Sequence, residues 1–320
     1  MNKIYTGRKV AIFTDAHGLL EPVEAALKDI KSNGITEIYS LGDNIGNGPD
    51  SLGVIKALAL NGVKSIAGNA EEYIRLGLEP FASYMMREDR IRDVKRTKEQ
   101  LGSEGVELVH QMSHSYVLKI GGKKIGLCHF GNDVRIDYWD RSTWTYQTYF
   151  DYLKTGVRYD ENASKQFSYT ASEEQINEIR KLGTGKNSIK KENLGFKSAY
   201  EEPMFPREDN PHIGHKLEVF DDIFQGHVHF KLEDPGKTNY HTLRAIGMAY
   251  RKDPIDTASY VILDEYIDTD TNEQGFDIKE ILVKYDREKM VYKILNEMDE
   301  SFRLEKFTSV TEKEKKKLRR

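Results

Sequence analysis

Residues 38–44, with the sequence Ile-Tyr-Ser-Leu-Gly-Asp-Asn, decide how the rest of the chain is interpreted. A short apolar run bounded by a glycine is typical of a buried strand, and this run leads directly to an acidic residue, Asp43. The pattern therefore predicts a strand that presents the carboxylate of Asp43 at its carboxyl end. Taken alone, Gly-Asp-Asn is also typical of a turn closed by an Asx hydrogen bond.

Four other apolar runs end in potential ligands in the same way. Because the carboxyl ends of parallel strands meet at one edge of a sheet, we expect these side chains to converge. Oxygen and imidazole donors gathered at such an edge are typical of a metal centre, and we expect Asp43 to lie between two ions. The runs are 10–13 before Asp15-Ala-His17, 63–67 before Gly68-Asn69, 125–128 before His129, and 222–225 before Gly226-His227-Val228-His229.

The segments around these runs indicate an α/β fold. The pattern predicts strands at 9–14, 35–41 and 63–67 and, between them, helices at 20–31 and 50–61. Alternation of this kind implies neighbouring parallel strands joined by right-handed crossovers. A helical stretch at 71–112, broken near Pro80 and Gly102, is expected next, and then a hairpin over 116–128 that turns at Gly121-Gly122.

The second half of the chain is predicted to add further strands and a cap. Strands are expected at 222–225, 240–246, 259–264 and 277–285, the last three antiparallel, followed by a helix at 286–298. We interpret the aromatic-rich segment 131–220 as an insertion that caps the sheet edge, and the charged tail 312–320 as solvated. A single domain is therefore expected over residues 1–320.

Composition excludes several classes of function. The formal net charge of −4 argues against a general nucleic-acid or membrane surface, and no apolar run has the length of a membrane span. The single cysteine, Cys128, fits a reducing compartment, and no run of signal-peptide type precedes the first strand. We expect a cytoplasmic protein that acts on a small molecule, with no prediction of its oligomeric state.

The five ligand motifs are informative as an ordered set. Each alone has an ordinary explanation as a turn, a surface imidazole or a buried histidine, but all five in this order, each after a strand, are not expected by chance. The donors are carboxylate, amide and imidazole without thiolate, which suits manganese, iron, zinc, cobalt or nickel and disfavours a structural zinc site. A carboxylate that can bridge, surrounded by these donors, implies two ions about 3.5–4 Å apart.

With these motifs in place, the chain resembles the calcineurin-like metallophosphoesterase superfamily, whose pattern is D-x-H, G-D-x, G-N-x-x, H and G-H-x-H. The match covers about two-thirds of the chain and is specific to the superfamily but not to a substrate. The resemblance implies a four-layer α/β/β/α sandwich of two mixed sheets and two divalent ions, with manganese favoured. It places Asp15, His17, Asp43 and His229 on one ion and Asp43, Asn69, His129 and His227 on the other.

One departure from the family pattern bears on the substrate. Many members carry histidine after Gly-Asn, where its proton would help an alkoxide to leave, whereas this chain has Ala70. The departure argues against a protein phosphoserine/threonine phosphatase. It points to the compact bacterial phosphodiesterases and diadenosine-polyphosphate hydrolase-like members, and hence to hydrolysis of a small phosphodiester or nucleotide-type substrate by a hydroxide activated between two metals.

Several residues are predicted to act on the substrate. Asp43, Asn69 and His227 are expected in the catalytic centre, with Asn44 beside them as a donor to a phosphoryl oxygen. Further candidates are Arg75 and Arg244 as phosphate clamps, each with an ordinary surface role as the alternative, and His212 and His215 as a replacement for the missing acid. Aromatic residues within 138–159 could stack a nucleobase, although packing of the insertion explains them as well.

Three alternative functions remain open on the sequence. A general phosphomonoesterase is the nearest. A catalytically silent scaffold that binds a protein through 131–220 is disfavoured, because such relatives lose metal ligands and this chain keeps them. A nuclease would need a basic groove, for which the net charge of −4 gives little support.

Overall fold

Two five-stranded sheets form the centre of the protein. The computed structural model describes residues 2–76, 88–113, 115–129, 220–227, 229, 232–233, 239–247 and 256–298. The strands of this part of the chain are β1 (Lys3–Phe13), β2 (Glu37–Ser40), β3 (Lys64–Ser65), β4 (Ser115–Ile120), β5 (Lys123–Cys128), β6 (Asp222–Gln225), β7 (Leu232–Glu233), β8 (Asn239–Thr242), β9 (Thr257–Asp268) and β10 (Gln274–Lys284). Its helices are α1 (Leu20–Ser32), α2 (Ser51–Leu60), α3 (Asn69–Leu76), α4 (Glu88–His110) and α5 (Arg287–Glu297).

The first sheet has the strand order β10-β9-β1-β2-β3. Strands β1, β2 and β3 are parallel, with Phe13 opposite Ser40 and Ser40 opposite Ser65, so their carboxyl ends lie at one edge. Strand β9 pairs antiparallel with both β1 and β10. Strand β1 begins at Lys3, six residues before the predicted start, because its polar first half pairs with the end of β9 across an irregularity at 5–9.

The second sheet has the order β4-β5-β6-β8-β7. The β4–β5 hairpin turns at Gly121 and Gly122, whose φ values of 56° and 72° suit the predicted tight turn. The expectation that the strand at 240–246 is antiparallel to the later strands is wrong. Strand β8 ends at Thr242, lies parallel to β6, and takes its antiparallel partner from the two-residue strand β7, which is too short to leave a sequence pattern.

The protein has its cores on both faces of the first sheet. Apolar side chains of α1 and α2 pack on the outer face with Ala11 and Phe13 of β1. The alternate residues of β1, Val10 and Ile12, face the second sheet and pack there with Leu127 and Phe224. This alternation confirms the predicted mixed α/β architecture of two packed sheets, and it explains why residues 10–13 are apolar without a break.

The long helical stretch breaks where the sequence predicts. Helix α4 is kinked at Gly102, whose φ of 58° and ψ of −168° are not helical. The predicted break near Pro80, the cap at 131–220 apart from Phe220, and the tail 312–320 lie outside the described residues, so the single-domain organisation stays a prediction. Among the helices that the structure describes, none is long and apolar enough to cross a membrane.

Candidate metal centre

The five motifs meet where the two sheets present their strand ends. Strands β1, β2 and β3 of the first sheet lead to Asp15, Asp43 and Asn69, and β5 and β6 of the second lead to His129 and His227. Backbone hydrogen bonds join the first two loops: the N–H groups of Asp15 and His17 donate to the carbonyls of Gly42 and Asp43 at 2.9 and 2.8 Å. The donors therefore lie just beyond strand ends of both sheets, on loops and, for Asn69, at the start of α3.

Asp15, His17, Asp43 and His229 form the first group of donors. One ligand atom from each lies within 4.8 Å of the others. Nε2 of His17 is 2.9 Å from Nε2 of His229, a separation at which both nitrogens can reach one ion at about 2.0–2.2 Å. The first three side chains are almost fully buried, whereas that of His229 is 19% exposed, so the group is accessible from the His229 side.

Asp43 also belongs to a second group, with His129 and His227. The amide oxygen of Asn69 adds a further donor, 2.9 Å from Nδ1 of His227 and 3.2 Å from Nε2 of His129. The two carboxylate oxygens of Asp43 face different groups: Oδ2 is 3.7 Å from His17 and Oδ1 is 3.5 Å from His129. This arrangement suits a carboxylate that bridges two ions.

The hydrogen bonding of these side chains fits metal binding. Oδ1 of Asp15 is buried, and no hydrogen bond within the described ranges reaches it, although Nε2 of His229 lies 3.4 Å away. Nδ1 of His129 donates to the carbonyl of Leu41 at 2.8 Å, which leaves the lone pair on Nε2, the nitrogen that faces Asp43. An unpartnered buried oxygen and an imidazole whose lone pair faces the site fit a divalent cation.

Burial and mutual charge set the ionisation of the carboxyl groups. Burial raises the pKa of Asp43 above its ordinary value. Burial acts in the same direction on Asp15, but interaction with His229 and the neighbouring imidazoles outweighs it and holds the pKa of Asp15 well below its usual range. Burial, reinforced by the charge of Asp43, raises the pKa of Glu71 to about 7. Carboxylates crowded in this way gain from bound positive charge.

The donor loops contain residues with a positive φ, a conformation that is uncommon outside glycine even though Asp and His adopt it more readily than most residues. A positive φ outside glycine costs about 1–3 kcal/mol and persists only where the surroundings enforce it. Such strain concentrates at functional sites, and its occurrence at most of the predicted ligands supports their assignment to one. The residues and φ values are Asp15 55°, His17 48°, Asp43 50°, His227 73° and His229 66°.

Glu71 holds the loops together and was not predicted from sequence. Its side chain is fully buried at 0% exposure. One carboxylate oxygen accepts hydrogen bonds from the N–H groups of Asp43 and Gly68 at 2.9 and 2.8 Å, and the other from Asn44 and Ile45 at 2.7 and 3.3 Å. The only sequence signal was its place two residues after Asn69. Asn47, which contacts His17 at 3.0 Å, was missed as well.

Gly226 lets the strand end of β6 approach Asp15. A Cβ atom at Gly226 would lie 2.7 Å from Oδ2 of Asp15 and would overlap Oγ1 of Thr14. We expect Gly226→Ala to displace the Asp15 carboxylate and to lower the affinity for Mn²⁺ at least about tenfold, an effect typical of disturbed ligand geometry. Calorimetric titration of the metal-free protein would measure it.

Gly7→Ala is the matched control for this substitution. A Cβ atom at Gly7 meets nothing within 4 Å, while its φ of 86° makes alanine strained there. The control therefore adds backbone strain without a collision in the site, and it should leave Mn²⁺ affinity unchanged. Equal affinities of Gly226→Ala and wild type would contradict the predicted role of Asp15 as a ligand.

Of the residues predicted to contact the substrate, some lie within the described part of the structure and others lie outside it. Asn44 is fully buried and accepts a hydrogen bond from Oγ of Ser40, and Nε of Arg244 lies 3.4 Å from Oε1 of Glu280. The side chain of Arg75 and both His212 and His215 lie outside the described residues, so their roles stay predictions. Ala70 is 7% exposed and donates its N–H to Oδ1 of Asp43 at 2.8 Å.

Comparison with known proteins adds limited information. No family model matches the chain. An uncharacterized protein of Methanocaldococcus jannaschii, MJ0912, is 28% identical over 131 residues, which are 41% of this chain and 52% of that protein. The chain thus spans about half the length of the curated relative that it matches.

Two solved structures have similar folds. The hypothetical protein PH1004 from Pyrococcus horikoshii OT3 has a TM-score of 0.52 at 17% identity, over 92% of this chain and 95% of that one. A metallophosphoesterase from Sphaerobacter thermophilus has a TM-score of 0.49 at 15% identity, over 94% and 97% of the two chains. At such identities, the likeness to the Pyrococcus protein shows a shared fold alone.

Fold and site define the class of protein: an α/β sandwich of two mixed sheets with a cluster of carboxylate, amide and imidazole donors at one edge. The predicted α/β fold of two mixed sheets is confirmed, and it is the fold that the chain shares with the Pyrococcus protein, whereas the resemblance to the calcineurin-like metallophosphoesterase superfamily stays a prediction. Ligation by the individual residues and the reaction itself remain to be proposed.

Proposed function

We propose that the protein is a metal-dependent phosphoesterase that hydrolyses a small phosphodiester or nucleotide-type substrate, such as a dinucleoside polyphosphate. The observation that carries the proposal is the position of Asp43, whose two carboxylate oxygens face two separate groups of donors. Two adjacent cation sites sharing one carboxylate are the arrangement that phosphoryl-transfer enzymes use to hold attacking and leaving oxygens.

The residues have distinct tasks in this proposal. Asp15, His17 and His229 would hold one divalent ion and Asn69, His129 and His227 the other, with Asp43 shared between them. When bound, the two ions lower the pKa of a water molecule and offset the negative charge of the phosphoryl oxygens. Manganese is the ion we favour, with iron, zinc, cobalt and nickel as alternatives that the donor set also suits.

Positioning of the donors is the contribution of the chain itself. The buried Asp15 and Asp43 are held by backbone N–H groups, since His227 donates to Oδ2 of Asp15 at 2.9 Å and Ala70 to Oδ1 of Asp43 at 2.8 Å. Such hydrogen bonds favour the ionised form of each carboxyl group and fix its direction, and at Asp43 they oppose the burial that raises its pKa. His227 and His229 are partly exposed, so substrate would enter from their side.

The substrate class follows from the residue beside Asn69. Ala70 has no proton to give to a departing oxygen, and its Cβ is buried. A phosphate or nucleotide leaves at neutral pH without that help, because its conjugate acid is strong, whereas an alkoxide does not. This reasoning favours a phosphoanhydride, or a phosphodiester whose leaving group has a low pKa, over any phosphoester that must expel an alkoxide.

A substrate panel would test the proposal. The protein is stripped of metal, reloaded with Mn²⁺, and assayed on bis-p-nitrophenyl phosphate, p-nitrophenyl phosphate and a dinucleoside polyphosphate. We expect metal-restored hydrolysis of the diester or the dinucleotide in preference to p-nitrophenyl phosphate. The two p-nitrophenyl esters release the same p-nitrophenolate, so the missing acid is tested with an alkyl phosphomonoester, for which kcat/KM should be about 10²–10⁴-fold lower.

The other outcomes distinguish the rival functions. A preference for p-nitrophenyl phosphate would make the protein a general phosphomonoesterase despite Ala70. Binding of two ions with no turnover of any compound would favour the scaffold, and cleavage of single-stranded DNA that persists at high salt would favour a nuclease.

A further inference from the structure

The buried imidazole of His17 uses two different nitrogens. Nε2 faces the other donors of the site, whereas Nδ1 contacts a side chain that belongs to none of the five ligand motifs. Nδ1 of His17 lies 3.0 Å from the side-chain amide of Asn47. Asn47 is buried, with 4% exposure, and its φ of 55° brings the amide against the ring. By comparison, Nδ1 of His129 is satisfied by a backbone carbonyl. The two imidazoles therefore depend on different supports.

The proton on His17 decides which amide atom must face the ring. A cation bound by Nε2 requires the lone pair there, so the ring proton lies on Nδ1 and needs an acceptor. The oxygen and nitrogen of an asparagine amide have nearly the same shape, and their assignment follows from the hydrogen bonding. With Nδ2 toward His17, Oδ1 is buried without a partner among the described residues. Rotating the amide of Asn47 by 180° exchanges its oxygen and nitrogen. Oδ1 then accepts the proton on Nδ1 of His17, and Nδ2 takes the buried position that Oδ1 had.

Helix α4 fixes Asn47 through a stripe of polar side chains. The N–H of Asn47 donates to both carboxylate oxygens of Asp93 at 3.1 Å. Arg96 donates to Asp93 at 2.8 Å and to the carbonyl of Gly48 at 3.0 Å, which ties the same loop again. Gln100 donates to the carbonyl of Pro49 at 2.7 Å. Residues spaced by three and four lie on one face of a helix, so α4 presents these side chains together.

From these contacts we propose that Asn47 is a positioning residue for metal binding. Its amide oxygen accepts the Nδ1 proton of His17 and directs Nε2 toward Asp15, Asp43 and His229, while Asp93 holds the backbone of Asn47 in place. The inference rests on the proposed di-metal function, and it extends the support of the site to a helix outside the five ligand motifs.

Three variants distinguish the effect of the Asn47 amide on metal binding from the effect of its backbone conformation. Asn47→Gly removes the amide at a positive φ that glycine tolerates, and Asn47→Asp keeps an acceptor for the Nδ1 proton. Asn272→Gly is the matched control, because Asn272 has a φ of 59° in an exposed turn between β9 and β10. Mn²⁺ binding to each metal-free protein is followed by calorimetry, and the coupling between bound ions by electron paramagnetic resonance.

We expect wild type and Asn272→Gly to bind two coupled Mn²⁺ ions with the same affinity. Asn47→Gly should bind one of them about 10–100-fold more weakly and give an uncoupled, single-ion spectrum at intermediate Mn²⁺, and Asn47→Asp should restore most of the affinity. Two ions bound by Asn47→Gly as tightly as by wild type would overturn this inference alone. Failure of wild type to bind two ions would overturn the proposed function and the inference with it.

Discussion

Replacement of Asp43 by alanine is expected to abolish hydrolysis and to leave at most one tightly bound ion. Both groups of donors lose a member together, because the oxygens of Asp43 face His17 on one side and His129 on the other. A metal pair contributes several kcal/mol to phosphoryl transfer, so we expect kcat/KM to fall by more than about 10³-fold. Metal analysis after gel filtration and the panel assay would measure both effects.

The substitution Asp43→Asn removes the negative charge of Asp43 and keeps the shape of its side chain. The amide keeps an oxygen that can accept the N–H of Ala70, a hydrogen bond of 2.8 Å in the wild type, but it cannot bridge two cations as a carboxylate does. We expect this variant to remain folded and to lose metal and activity almost as fully as Asp43→Ala. If either variant kept two ions and full activity, the di-metal centre would be refuted.

Replacement of Glu71 by glutamine is expected to destabilise the fold severely. Each carboxylate oxygen of Glu71 accepts hydrogen bonds from two buried backbone N–H groups. In glutamine an amide nitrogen replaces one of these oxygens, so two of the N–H groups would face another donor and lose their acceptor. Each buried donor left without an acceptor costs about 1–3 kcal/mol, so the free energy of unfolding should fall by roughly 2–6 kcal/mol. Urea denaturation of the metal-free proteins would measure the change.

Glu24→Gln serves as the control for this measurement. Glu24 is exposed on α1, and the same chemical change there should alter the free energy of unfolding by no more than about 0.5 kcal/mol. A Glu71→Gln protein as stable as the control would show that Glu71 does not hold the ligand loops. Removal of metal before denaturation matters, because bound ions would add their own binding free energy to the folded state.

The sequence predicted the parts of the fold that repeat a simple local pattern. Residues 10–13 are a continuous apolar run, and residues 222–225 contain the apolar pair Ile223-Phe224; both segments stop at a ligand motif, and both form buried strands. Leu20 begins α1 as predicted, and the Gly121-Gly122 turn lies where the hairpin pattern placed it. In each case the evidence lies within a few neighbouring residues, which is the range over which hydrophobic periodicity and turn chemistry act.

The features that were not predicted depend on partners distant in the chain. Parallel strand ends look alike in sequence, so nothing local shows that Asn69 and His129 follow strands of different sheets. Glu71 resembles any acidic residue of a helix until the N–H groups of Asp43 and Asn44 meet it from another loop. The contact between Asn47 and Asp93 likewise joins a loop to a helix 46 positions away.

The division of the proposed ligands between the two sheets would give the proposed metal site a mechanical role. Asp15, Asp43 and Asn69 follow strands of the first sheet, while His129 and His227 follow strands of the second. Any ion held by donors from both sheets would be a cross-link across the sandwich, at the edge where these strands of the two sheets end. Its binding energy opposes separation of the sheets, and parting them even slightly would release it. Binding of the cation and packing of the two sheets against each other would thus be thermodynamically coupled, so that each stabilises the other.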